Sequence, residues 1–132
     1  MGTFNSLEEA REYMSGDAFA AHCGMQLDEL TDEYSVCSMA LTGEHLNIHG
    51  TVMGGVIFTL ADFAFGCLAS HIHRPTMAMQ ASVSFLGAAR GKRLIARASC
   101  RKSGRSTTVA NVDVTDESGR DVAQLVITGF KL

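Results

Sequence analysis

The chain has no tryptophan, a single proline (Pro75) and no Cys-x-x-Cys pair among its four cysteines at 23, 37, 67 and 100. Cysteines so far apart outline neither a disulfide framework nor a zinc site, and reduced thiols in a cytosol are the expectation. No stretch of about 20 apolar residues is present, so a membrane span is not expected. The first residues, Met-Gly-Thr-Phe-Asn-Ser-Leu-Glu-Glu, are acidic where a secretion signal would be basic, which points to a cytoplasmic protein. There is no linker and no repeat. The 132 residues, 46% hydrophobic and 19% charged, read as one domain over 1–132 that is long enough to bury a core.

Acid is missing over a long interval: none occurs between Asp62 and Asp113, while nine of the fourteen acids lie in residues 1–44. In the gap sit seven of the eleven basic residues, Arg90, Lys92, Arg93, Arg97, Arg101, Lys102 and Arg105. With a net charge of −3, so local a basic tract argues against nucleic acid and suits one anionic ligand, such as a phosphorylated cofactor tail. A solvated strand face explains it equally well.

What is present is one long apolar stretch, from Asn47 to Ser70, around which the rest is organised. It opens polar and glycine-rich (Asn47, His49, Gly50, Met53, Gly54, Gly55), then runs apolar from Val56 to Ala69, broken only by Thr59 and Asp62. Apolar residues fall on nearly every side of a helix over about 54–70, which predicts a helix enclosed by other structure. An Asp enclosed there needs a partner, a raised pKa or a chemical task. Two glycines at the helix start let a ligand approach bare N–H groups. Amides at a helix N-terminus with an Asp two turns on make a candidate site for acyl chemistry. A buried structural helix whose Asp62 only accepts backbone hydrogen bonds is the competing reading.

Around that stretch, Ser6-Leu-Glu-Glu9 has the form of a capping box and predicts a helix over about 7–14, with a further helical turn at Asp17–His22 ending at Gly24. Strands are predicted over 25–30, 33–41, 76–86, 92–101, 105–115 and 120–130. The segment 92–101 sets Leu94, Ala96, Ala98 and Cys100 against Ile95, Arg97, Ser99 and Arg101, the period of a strand with one wet face. Ser103-Gly104 predicts a tight hairpin. Strands, one helix and consecutive hairpins give an α+β layout, an antiparallel sheet wrapped around one long central helix. One helix leaves sheet surface uncovered, so an oligomer is expected. His71-x-His73 lacks the Cys, Asp or Glu cluster that would complete a metal site, and no metal is assigned.

These residues resemble the PaaI-type hotdog-fold acyl-CoA thioesterases. The family's Asn-x-x-Gly-x-x-His-Gly-Gly, followed by apolar residues and Leu-x-Asp, is met by Asn47, Gly50, Gly54, Gly55, Leu60, Asp62 and Ala64. Val83-Ser-Phe85-Leu86-Gly-Ala-Ala-Arg90-Gly91, Ser103-Gly104-Arg105 and Asp116-Glu-Ser-Gly119-Arg120 match later strands and turns. The resemblance implies a hotdog fold and hydrolysis of an aryl- or medium-chain acyl-CoA, with no cofactor beyond the coenzyme A of the substrate. It implies that the Gly54 amide polarises the thioester carbonyl, Asp62 is general base or nucleophile, and Asn47 orients water or substrate. Gly55, Met53 and His49 are the candidate substrate-binding residues. It also implies a site split between protomers of a dimer or a dimer of dimers. Two positions depart from the pattern: Met53 stands where the family has His, and Ala78 where Ser or Thr is frequent. They motivate an alternative, a non-catalytic hotdog module that binds acyl-CoA as ligand or sensor.

Overall fold

The structure, a computed structural model, describes residues 2–73 and 75–132. A first helix, α1 (Leu7–Met14), starts at Ser6, whose Oγ accepts the Glu9 N–H at 3.1 Å, while the Glu9 carboxylate reaches back to the Asn5 N–H at 3.1 Å. The box is therefore closed one residue earlier than its sequence form suggests. After a short α2 (Ala18–His22) come strands β1 (Gln26–Leu30) and β2 (Tyr34–Ala40), then the long helix α3 (Gly54–Ile72). Four strands follow: β3 (Thr76–Phe85), β4 (Arg93–Ser103), β5 (Thr107–Asp116) and β6 (Asp121–Lys131).

The strands form one sheet in the order β1-β2-β4-β5-β6-β3, with every neighbouring pair antiparallel. Period-2 patterning puts Leu94, Ala96 and Ala98 of β4 on the inner face beside Ala110, Val112 and Val114 of β5, all buried, while Arg97 is exposed. The small residues of β4 leave room for α3, which lies across this face and packs against β2 through β6. Ile57, Leu60, Ala64, Phe65 and Leu68 are buried there, each large aliphatic or aromatic side chain contributing roughly 1.5–3 kcal/mol. Two close approaches fix the seat: Ser35 Oγ donates to the Ala64 carbonyl at 2.7 Å, and Gly129 lies so near Phe65 that a Cβ there would be 2.7 Å from its ring.

Three details differ from the expectation. The helix is not enclosed all round: Gly55, Thr59, Asp62, Gly66 and Ser70, spaced along one face, are none of them buried. Its small and polar residues give the sheet nothing to bury, so that stripe stays open. α3 also continues to Ile72, because His71 is held in place. Its Nδ1 accepts the Phe4 N–H at 3.2 Å and its Nε2–H donates to Asp32 at 2.9 Å, a tautomer assigned from these partners. Finally, a bulge between Cys100 and Lys102 carries β4 on to Ser103, and the predicted tight hairpin becomes a wider turn through Gly104.

By length and composition α3 could cross a membrane, but here it is the core helix of the sheet. His73 Nε2 lies 2.9 Å from Thr108 Oγ1 whereas His71 pairs with Asp32, and among the described residues no group of three or more His, Cys, Asp or Glu is placed to hold a metal. Among the described residues β3 is an edge strand, paired with β6, and Met77, Met79 and Phe85 are each about 60% exposed.

Candidate active site

The start of α3 is delivered by a small hairpin. Met53 N–H donates to the His45 carbonyl at 2.9 Å, Leu46 bridges Val52, and Asn47 N–H donates to the Thr51 carbonyl at 2.7 Å. The Asn47 side chain is engaged inside this loop. Its Oδ1 accepts the N–H groups of His49 (2.9 Å) and Thr51 (3.1 Å), and its Nδ2 donates to Thr51 Oγ1 at 2.9 Å. Within the chain Asn47 thus shapes the loop that presents Gly54. His49 sits at the exposed tip with Ile48, two rungs from the Met53 end of the stem.

Met53 is the N-cap of α3 and supplies no side-chain cap. Its carbonyl accepts the Val56 N–H at 3.0 Å, but among the described residues the Gly54 and Gly55 amides have no acceptor. Two such N–H groups at the positive end of a 19-residue helix have the chemistry to receive an anion or oxyanion. The Phe85 ring closes over it: a Cβ on Gly54 would lie 3.2 Å from Phe85 Cζ. The absence of a side chain at Gly54 is what lets the ring and the amide share this spot.

Asp62 lies two turns along the same open stripe as Gly55 and Thr59, half-buried. Among the described residues nothing donates a hydrogen bond to it. Burial, and then the like charge of Asp17, push its carboxyl above the usual range. Asp17, at the start of α2, is the residue that sequence reasoning missed, because no spacing rule connects it with Asp62. The competing reading, an Asp held by backbone donors, would have lowered its pKa instead.

The basic tract does not gather into one patch. Arg93 Nη2 donates to Ser38 Oγ at 2.6 Å, and the Arg97 guanidinium stacks 4.1 Å above the Tyr34 ring on the outer face. Arg101 and Lys102 stand at the far end of β4, about 30 Å from Arg93 at 3.4 Å per residue, and Arg105 in the turn beyond it. Arg90 and Lys92 are exposed in the loop that follows Phe85, at the end of the sheet where Phe85 meets Gly54.

Comparison with known proteins agrees with this geometry. Residues 49–123 match the model of the thioesterase superfamily. The chain is 29% identical to the acyl-coenzyme A thioesterase PaaI of Escherichia coli over 118 residues, 88% of this chain and 84% of that protein. A hypothetical thioesterase protein from Streptococcus pneumoniae, solved with coenzyme A, superposes with a TM-score of 0.83 at 28% identity, covering 90% of this chain and 94% of that one. A mutant of the phenylacetic acid degradation protein PaaI from Thermus thermophilus does so with 0.81 at 29% identity, covering 86% and 98%. A matched family model over more than half of the chain, with the helix, sheet and open amides in place, establishes that the chain belongs to the thioesterase superfamily as a hotdog-fold thioester hydrolase of the PaaI type.

Proposed function

We propose that the chain hydrolyses aryl- or medium-chain acyl-CoA, with Asp62 as general base and the Gly54 amide as oxyanion donor. The observation that carries this is that, among the described residues, the Gly54 and Gly55 amides and the Asp62 carboxyl of raised pKa all lack a hydrogen-bond partner along the open side of α3. Water adds to the thioester carbonyl carbon as its proton passes to Asp62, and the carbonyl oxygen takes the electron pair beside Gly54 N–H. Collapse of the tetrahedral species expels the coenzyme A thiolate, which takes the proton from Asp62, leaving free acid and CoA. A base of raised pKa removes that proton more readily than an ordinary carboxylate.

Eight residues separate Gly54 from Asp62, about 12 Å along the helix at 1.5 Å per residue, too far for both to act on one carbonyl. A second copy with its α3 antiparallel would bring its Asp62 to this Gly54. The exposed edge of β3 and the apolar Ile48, Met53, Phe85 and Leu86 around the site support a dimer, and pairing of dimers would complete the assembly. Arg90 and Lys92, exposed in the loop after Phe85, are the candidates we assign to the phosphates of coenzyme A, a reading supported by the coenzyme A in the S. pneumoniae relative. The free thiols Cys37 and Cys67, 3.9 Å apart, accord with a reducing cytoplasm. Purified protein is expected to release thiol from aryl- or medium-chain acyl-CoA as a dimer or larger. Asp62→Ala is expected to lose at least about 100-fold. Equal slow turnover by both proteins, with tight acyl-CoA binding, would instead favour the non-catalytic module, for which Met53 in place of His speaks.

A further inference from the structure

The two glycine amides at the start of α3 sit in unlike surroundings. Gly55 is exposed, and a Cβ on it would meet nothing within 4 Å. Gly54 is half-buried, and a Cβ there would lie 3.2 Å from Phe85 Cζ and 3.4 Å from its Cε1. Gly54 is not among the glycines of positive φ, so its backbone suits other residues, and the room it leaves is taken by the ring. Phe85 arrives there by the alternation of β3: Ala81 and Val83 pack against the core, and Phe85 continues their row beyond it. The strand end is held by backbone, Leu86 N–H donating to the Val122 carbonyl at 2.8 Å, while the ring is 58% exposed and so adds little to the core. We propose that Phe85 is a positioning residue for the hydrolysis. Its ring, seated on the bare Cα of Gly54, steadies the first turn of α3 and keeps water from one side of the Gly54 amide, so that Gly54 rather than the open Gly55 is the preorganised oxyanion donor. The inference rests on the thioesterase reading above.

A donor acts on a developing oxyanion most strongly where water is excluded and nothing has to reorient. The Gly54 amide has no acceptor among the described residues, so without the ring water would solvate it more fully, and that water must leave before the carbonyl oxygen arrives. Phe85 moves no proton and acts through Gly54, so its effect belongs to kcat and not to binding. Deleting an oxyanion donor outright costs about 10²–10³ in kcat, so losing its shelter should cost less, about tenfold. A Cβ at position 54 would meet the ring inside ordinary van der Waals distance and push it away, which couples the two positions.

Amide exchange in the ligand-free protein, followed by NMR, reads the shelter without turnover. Phe85→Ala is expected to speed exchange of the Gly54 N–H about fivefold or more and to leave that of Gly55 within about twofold. On hexanoyl-CoA and phenylacetyl-CoA alike, Phe85→Ala should lower kcat about tenfold with KM changed less than about threefold. Phe85→Leu, shorter but apolar, should lose less. Tm should stay within about 2 °C and the oligomer unchanged, because the ring is mostly exposed. Gly54→Ala should cost about fivefold in the wild type and under about twofold in Phe85→Ala, where the ring is already gone. Equal cost in both backgrounds would overturn the proposal, as would an unchanged Gly54 exchange rate, an unchanged kcat, or a fall in kcat that accompanies loss of the oligomer. In each of these cases turnover by the wild type leaves the thioesterase reading intact. No turnover by the wild type would overturn both.

Discussion

Asp62 on α3, pushed up first by its burial, also meets the negative charge of Asp17 at the N-terminus of α2, and together these hold its carboxyl above the ordinary value. A base works only when ionised, so turnover must fall as pH drops through this raised value. Asp17→Asn removes the repulsion but not the burial. The acidic limb of the kcat/KM profile should therefore move to lower pH, while remaining above that of a free carboxylate. An unmoved limb would mean that a group other than Asp62 governs it.

The same shift has a consequence for stability. A carboxyl whose pKa is raised on folding binds its proton more tightly in the native state, so its own contribution to stability is highest at low pH and declines as pH rises through the folded value. At pH 7 the charged Asp62 therefore costs stability. Asp62→Asn is expected to raise Tm by a few degrees at pH 7, a typical response for a domain of this size. It should also lower turnover at least about 100-fold. The gain in Tm should vanish below about pH 4, where carboxyls are protonated in the unfolded chain as well. A stabilised but inactive variant is the signature of a functional strain rather than a structural prop.

Asp116 behaves in the opposite way. Buried at the end of β5, its carboxylate accepts the Ser118 hydroxyl at 2.6 Å, the Arg90 N–H at 2.8 Å, the Ser118 N–H at 2.9 Å and the Arg120 N–H at 3.1 Å. Ser118 foremost, then Arg90, hold its pKa down to about 2. A depressed pKa contributes stability above the unfolded value near 3.9 and loses it as pH falls towards 2. Asp116→Ala should lower Tm by several degrees at neutral pH, with the gap to wild type closing in that acid window. Because Asp116 also ties down the loop of Arg90 and Lys92, the variant should raise KM for acyl-CoA more than it lowers kcat.

How much of this was legible beforehand follows from the reach of each interaction. The β4 and β5 faces could be read from Leu94 to Cys100 and from Ala110 to Val114, because burial on one side of a strand imposes a period of two. The start of α3 was legible because Gly-Gly and the apolar run are local signals, and the register with relatives supplied Gly54 and Asp62. Contacts between distant segments left no mark. Nothing near residue 17 announces Asp62, nothing in β3 announces that Phe85 covers Gly54, and the open stripe of α3 was hidden because Gly55, Gly66 and the apolar neighbours of Asp62 look uniformly buriable. The basic tract could not be resolved for a related reason: charges close in sequence on an extended strand share its outer face but are strung out along its length, and Arg90, Lys92 and Arg105 fall in the loops at its two ends.

Met53 remains the position where the chain departs from its relatives. It caps α3 with extended backbone (φ −63°, ψ 136°) and a side chain 55% exposed, so histidine fits there without displacing the core. A His N–H can donate to the thioester oxygen or to the departing thiol, whereas a thioether is only a weak acceptor. Removing a donor aimed at a developing oxyanion costs roughly 2.7–4 kcal/mol in well-placed cases, and an off-centre donor contributes less. Met53→His should therefore raise kcat by about tenfold, equivalent to roughly 1.4 kcal/mol. The substitution touches neither Arg90 nor Lys92, the residues proposed to meet coenzyme A, so the gain must appear in kcat and not in binding. The backbone that presents the Gly54 amide is untouched, which confines the comparison to the added donor. A well-folded Met53→His enzyme with unchanged or lower kcat would show that the site is adapted to methionine, its thioether serving the acyl group and not the carbonyl.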